Sequence, residues 1–189
     1  SVDVALVGKY DLEDAYMSVH EALKHAGIQR GVEVNVSWVD ADDMTDQHAD
    51  RLENADGVVV PGGFGSRGTE GKVEAVRYAR ENDVPFLGLC LGFQMAVIEH
   101  ARNVVGLAGA DSTEIDPDTP HPVIDLLPEQ YETEEMGGTM RLGTHETQID
   151  DGTLAAAVYG DTSCTERHRH RYEVNPEYIP QLEADGLTF

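Results

Sequence analysis

The segment Gly88-Leu89-Cys90-Leu91-Gly92 sets a thiol between two glycines, after the apolar run Val84-Pro85-Phe86-Leu87 and ahead of a helix-forming stretch. Flanking glycines permit a tight strand-to-helix turn in which the central residue projects from the sheet edge. Cys90 reads there as a reactive sulfur, because unpaired N–H groups and the positive end of the helix dipole favour a thiolate. A thiolate that attacks a carbonyl needs donors for the charge of the tetrahedral intermediate. Leu91, directly after the sulfur, offers one backbone N–H. Gly63, in the second glycine-rich turn Pro61-Gly62-Gly63-Phe64-Gly65, offers another, since nothing blocks its amide. The competing reading, a buried core cysteine, accounts for composition but not for the Gly-x-Cys-x-Gly position. Cys164 has no glycine elbow and reads as structural.

These turns need strands to hold them. Val2 to Gly8 is a first buried strand, Val32 to Val39 a second and Ala55 to Val60 a third, which ends at Pro61. Helical spacing spans Asp14 to Ala26, closed by Gly27, and again Gly71 to Asn82. Apolar strands alternating with helices indicate a mostly parallel central sheet with helices on both faces, an α/β three-layer sandwich. Function then belongs at the carboxyl ends of the strands, where both glycine-rich turns fall. A phosphate-cradling role for Pro61 to Gly65 is disfavoured, since the Walker lysine and hydroxyl are missing. Beyond residue 110 prolines punctuate a loop-rich stretch, Met136 to Gly143 suggests a turn and strand, Asp150-Asp151-Gly152 marks a turn, and Leu187-Thr188-Phe189 looks like the start of a strand.

The 189 residues suffice for one domain, 1–189, with a substantial core. No apolar run approaches the roughly 20 residues that span a bilayer, and no signal-peptide pattern opens the chain. Two cysteines in unlike contexts form no disulfide framework, as expected of a reducing cytoplasm. The 36 acidic and 13 basic residues give a net charge of −23, and only Lys9, Lys24 and Lys72 are lysines. Nucleic acid and anionic membranes are therefore poor partners. Such charge is a lever by which halophiles stay soluble, and a halophilic source is expected.

Longer strings carry a family resemblance. Pro61-Gly62-Gly63-Phe64-Gly65-Ser66-Arg67-Gly68-Thr69-Glu70-Gly71-Lys72, Gly-Leu-Cys-Leu-Gly-Phe-Gln at 88–94, Glu135 to Gly143, and Glu166 to Asn175 with its Arg-His-Arg-His-Arg core resemble the class I glutamine amidotransferases, within them the glutaminase domains of the CTP synthase family. The resemblance implies hydrolysis of L-glutamine to glutamate and ammonia, with the ammonia passed to an N-terminal synthetase domain of the same full-length protein that aminates UTP. It implies no cofactor in this domain, ATP and Mg in the synthetase domain, and GTP as activator. By resemblance Cys90 is the nucleophile, and Gly63 and Leu91 form the oxyanion hole. Gly63, Leu91, Gly92, Phe93, Gln94, Glu114 and Arg171 bind glutamine, with Glu114 on its α-amino group and Arg171 near its carboxylate. Opposite charges there would orient an amino acid by charge-assisted hydrogen bonds. Arg67 would belong to a lid that senses GTP.

Three arginines fall within residues 167–171. Extended, that segment places them on one face and His168 with His170 on the other. A basic patch offsetting the acidic field is the plainer reading of it. Cys164, His168 and His170 lack an evident fourth ligand, so no metal is expected.

The family completes its triad with a His-Pro-x-Glu or His-Pro-Glu motif. Of the eight histidines only His121 precedes a proline, and Val123-Ile124 follow it. Without that base a cysteine nucleophile loses orders of magnitude in rate. The expectation is an inactive, C-terminally truncated fragment and a monomer. The alternatives are a glutamine-binding pseudo-enzyme module or the amidotransferase partner of another biosynthetic enzyme.

Overall fold

A computed structural model describes residues 1–10, 15–44, 49–127 and 140–189. The chain divides into two compact units, Ser1–Glu99 and His100–Phe189.

The first unit is built on a four-stranded parallel sheet in the order β2-β1-β3-β4, with β1 Val2–Gly8, β2 Val34–Asp40, β3 Gly57–Val60 and β4 Phe86–Gly88. Side chains alternate across a strand, and in β1 both sets are apolar. Ala5 and Val7 pack with Val39, Val58, Val60, Ala75 and Ala79, the last two from helix α2, Thr69–Glu81. Val4 and Leu6 join Val59, Trp38, Tyr16, Val19 and Leu23 on the other face, where α1, Met17–Arg30, lies. The sheet is thus covered on both faces, as a parallel sheet must be. Leu6 is fully buried, and truncating it to alanine would cost about 2–5 kcal/mol.

Helix α1 does not close at Gly27, as its spacing suggested, but runs to Arg30 and is capped by Gly31 at φ +67°. Gly27 is glycine for a different reason: a Cβ there would lie 2.6 Å from both the Val32 carbonyl oxygen and Val34 Cγ2. Asp14, the suggested first residue of that helix, lies outside the described residues. Helix α3, Leu91–His100, follows β4 through the turn at Leu89 and Cys90, with Met95, Val97 and Ile98 fully buried.

The second unit holds a three-stranded sheet in the order β5-β6-β9, with β5 Ala110–Ser112, β6 His121–Asp125 and β9 Glu173–Val174. A separate antiparallel pair joins β7, Arg141–Gln148, to β8, Ser163–His170, with α4, Leu154–Tyr159, between them in sequence. Helix α5, Ile179–Ala184, packs on the turn Ala101–Val105. The strand suggested near Gly143 is β7, while the preceding Glu135 to Thr139 lies outside the described residues. Residues 187–189 form no strand: the chain leaves α5 through a turn in which the Asp185, Gly186 and Leu187 amides return to the Leu182 and Glu183 carbonyls. Among the described residues no helix is long and apolar enough to cross a membrane.

Candidate active site

Cys90 adopts φ +54°, a left-handed conformation that non-glycine residues rarely hold, and is exposed to solvent. The chain around it leaves no room for side chains. A Cβ on Gly88 would sit 2.6 Å from Gly92 C and Phe93 N, and one on Gly92 would run into the Val60 carbonyl oxygen. Leu89 N–H donates to Val60 O at 2.9 Å, Gly92 N–H to Leu89 O at 2.9 Å, and Gln94 N–H to Cys90 O at 3.2 Å. The turn is therefore sewn to β3 on one side and to the first turn of α3 on the other. Leu91 is the first helical residue, a place where backbone N–H groups have no partner within the helix.

The Pro61–Gly65 loop lies against this turn. A Cβ on Gly62 would be 3.4 Å from Cys90 Cβ and 3.9 Å from its Sγ, and one on Gly63 would be 3.3 Å from Leu91 Cδ2. The two glycine-rich turns thus meet at the carboxyl ends of β3 and β4. Of the neighbouring residues, Leu91, Gly92 and Gln94 are buried, while Phe93 is 42% exposed.

Buried polar side chains back the loop on its other side. Lys72 Nζ donates to Pro61 O at 3.3 Å, Tyr16 Oη donates to Gly62 O at 3.4 Å, and Lys9 Nζ donates to the carbonyls of Phe64 and Gly65. Lys72 has no exposure, and burial first, then the Lys9 charge, lowers its pKa to about 8, against a raising pull from Cys90. Sequence reasoning missed these three residues. The signal available was rarity, because two of only three lysines are spent on one loop. Arg67 is exposed; its guanidinium donates to the Lys9 carbonyl, stands 3.5 Å from an Asp42 carboxylate oxygen, and lies 5.8 Å from the Tyr10 ring centre.

Glu114 and Arg171 belong to the second unit. Glu114 follows β5, where its N–H donates to Ser112 Oγ at 3.2 Å, and Arg171 lies between β8 and β9; both are half-buried. Both charges act on Tyr172: burial raises its pKa most, the Glu114 charge raises it further, and Arg171 lowers it. On β8 the side chains of Arg167 and Arg169 are exposed, and those of His168 and His170 are half-buried on the opposite face. Cys164 is half-buried on the same strand. Among the described residues no group of three or more His, Cys, Asp or Glu is arranged to hold a metal ion.

Several known proteins are similar to this chain. A model of the family "Glutamine amidotransferase class-I" matches residues 11–189. CTP synthases of Haloarcula hispanica and Halobacterium salinarum are 75% and 72% identical to this chain over 188 residues, and that of Pyrococcus furiosus is 55% identical over 190. Each match covers 100% of the chain but only 34–35% of the relative, so the chain spans about a third of the length of the curated relatives. A solved structure, the Trypanosoma brucei CTPS glutaminase domain with bound acivicin, superposes with a TM-score of 0.91 at 38% identity, covering 100% of this chain and 74% of that one.

Proposed function

The chain belongs to the class I glutamine amidotransferase family, on the branch of the CTP synthase glutaminase domains, and from that premise we propose that Cys90 is the nucleophile that releases ammonia from L-glutamine. The sulfur attacks the side-chain amide carbon, and the resulting oxyanion is held by the N–H groups of Gly63 and Leu91. The C–N bond breaks as the nitrogen takes up a proton and leaves as ammonia. Water then cleaves the thioester to glutamate and regenerates the thiol. Gly92, Phe93 and Gln94 line the substrate position, and Glu114 and Arg171 receive its α-amino and α-carboxylate groups.

The ammonia serves an ATP- and Mg-dependent amination of UTP to CTP in a synthetase domain, with GTP as activator acting near Arg67. The likeness to CTP synthases about three times as long supports this wider reading. The single observation that carries the local one is the exposed Cys90 at φ +54°, pressed against Gly62.

The proton steps need a base. The one His-Pro pair, His121-Pro122, starts β6 with the His121 ring edge-on to Tyr178, and Val123-Ile124 follow it. Residues 1–189 alone are therefore expected to turn over glutamine orders of magnitude more slowly than a chain that also carries a His-Pro-Glu segment.

Ammonia release by such a longer chain tests the proposal. Cys90→Ala is expected to abolish it. Release that persists in the variant overturns the role given to Cys90.

A further inference from the structure

In a trans peptide the carbonyl oxygen and the following amide hydrogen point to opposite sides of one plane, and no described peptide bond is cis. Whatever fixes the Gly62 carbonyl therefore also fixes the direction of the Gly63 N–H. The Tyr16 hydroxyl donates to that carbonyl at 3.4 Å.

The phenol is itself held in place. Tyr16 is 4% exposed, and its ring lies 5.4 Å from Trp38 and 6.0 Å from Tyr10, centroid to centroid. The backbone of Lys9 and Tyr10 pulls its pKa down, and burial outweighs that pull. Burial raises its pKa above 10.0, so the hydroxyl remains a donor throughout the neutral range. A Gly-Gly-Phe-Gly loop supplies little stiffness of its own, because glycine visits many backbone conformations. An oxyanion donor works only if it is aimed before the reaction begins.

We infer that Tyr16 is a positioning residue of the oxyanion site: its hydroxyl pins the Gly62 carbonyl on the buried side of the loop and so aims the Gly63 amide at the reacting carbonyl. The inference rests on the roles proposed above for Cys90 and Gly63.

Two alkylating reagents separate aiming from reactivity. With 2-amino-4-oxo-5-chloropentanoate, a glutamine-shaped chloroketone, sulfur displaces chloride from the carbon beside the ketone, and the ketone oxygen occupies the oxyanion site. With iodoacetamide, sulfur displaces iodide and that site is not needed. Both rates scale alike with the thiolate fraction, so their ratio reads the donors alone. Tyr16→Phe is expected to lower the ratio roughly tenfold, part of the loss known for deleting a whole donor, with iodoacetamide labelling unchanged. An unchanged ratio in the folded variant overturns the inference and leaves Cys90 untouched. Labelling of Cys90→Ser at the wild-type rate would instead sink the nucleophile reading. Should the Phe variant not fold, 4-fluorophenylalanine and 4-aminophenylalanine at position 16 make the same comparison. The amino group, a donor, is expected to keep the ratio and the fluorine to lose it. Equal ratios overturn the inference.

Discussion

Lys72 places its ammonium 3.3 Å from the carbonyl oxygen of Pro61 at a position with no exposure to water. Among the described residues that carbonyl is its only hydrogen-bond partner and no carboxylate pairs with it. Burial lowers its pKa to about 8 from 10.5, so between those values the unfolded chain holds more protons than the folded one. Stability then rises with pH across that window, by an amount on the order of 3 kcal/mol. Lys72→Met removes a buried charge at similar volume. It is expected to melt higher than wild type at neutral pH, with the gap closing as pH passes 10. Melts at fixed KCl check this, and a pH-independent loss in the variant contradicts it. The same ammonium favours the Cys90 thiolate, since Cys90 raises the Lys72 pKa and the coupling is mutual. The pH midpoint for iodoacetamide labelling should therefore rise in Lys72→Met.

Gly92 tests the elbow itself. Its missing Cβ would meet the Val60 carbonyl, a backbone atom that cannot move without displacing β3. Gly92→Ala is expected to cost at least about 3 kcal/mol in denaturant unfolding, near the upper range of overpacking penalties. A cost below about 1 kcal/mol would mean that the turn relaxes freely.

The contrast between Gly92 and Lys72 shows what the residue order made legible. Gly-x-Cys-x-Gly names its own turn, because few other conformations need glycine at both places, and the alternation of apolar strands with helices announced the parallel sheet. Lys72 shares a helical face with Ala75, Val76 and Ala79, but a lysine on such a face ordinarily reaches out to water with its ammonium, and only the packing of α2 keeps that end buried. Gly27 looks like a helix stop in the sequence because nothing local reveals that the Val32 carbonyl and the Val34 side chain lie over it. Glu114 and Arg171 lie far apart in sequence, and no local pattern relates one to the other. Contacts of that kind depend on tertiary structure and leave no periodic trace.

A net charge of −23 sets the salt response. Self-repulsion acts over a screening length of about 10 Å in 0.1 M salt and about 3 Å in 1 M. The melting temperature is expected to climb steadily as KCl rises over that range, in keeping with relatives from Haloarcula and Halobacterium. A protein most stable in dilute buffer would contradict the electrostatic reading.

The β7–β8 pair should respond to acid. His168 Nδ1 lies 3.1 Å from His170 Nε2, and the ring of His145 on β7 stands edge-on to it at 5.2 Å. Burial lowers the His168 pKa below 6.5, followed by the charges of His170, His145 and Arg141, with Glu173 opposing them. A lowered folded value means that the unfolded chain takes up the proton first as pH falls. The stability this residue contributes is complete above 6.5 and drains away below it. Amide exchange in Arg141–Gln148 and Ser163–His170 is therefore expected to accelerate between neutral pH and about pH 5, the range in which histidine charges. His168→Asn should flatten that dependence, because asparagine does not titrate. A slope that survives in the variant would mean that the half-buried His168 ring does not set the acid response.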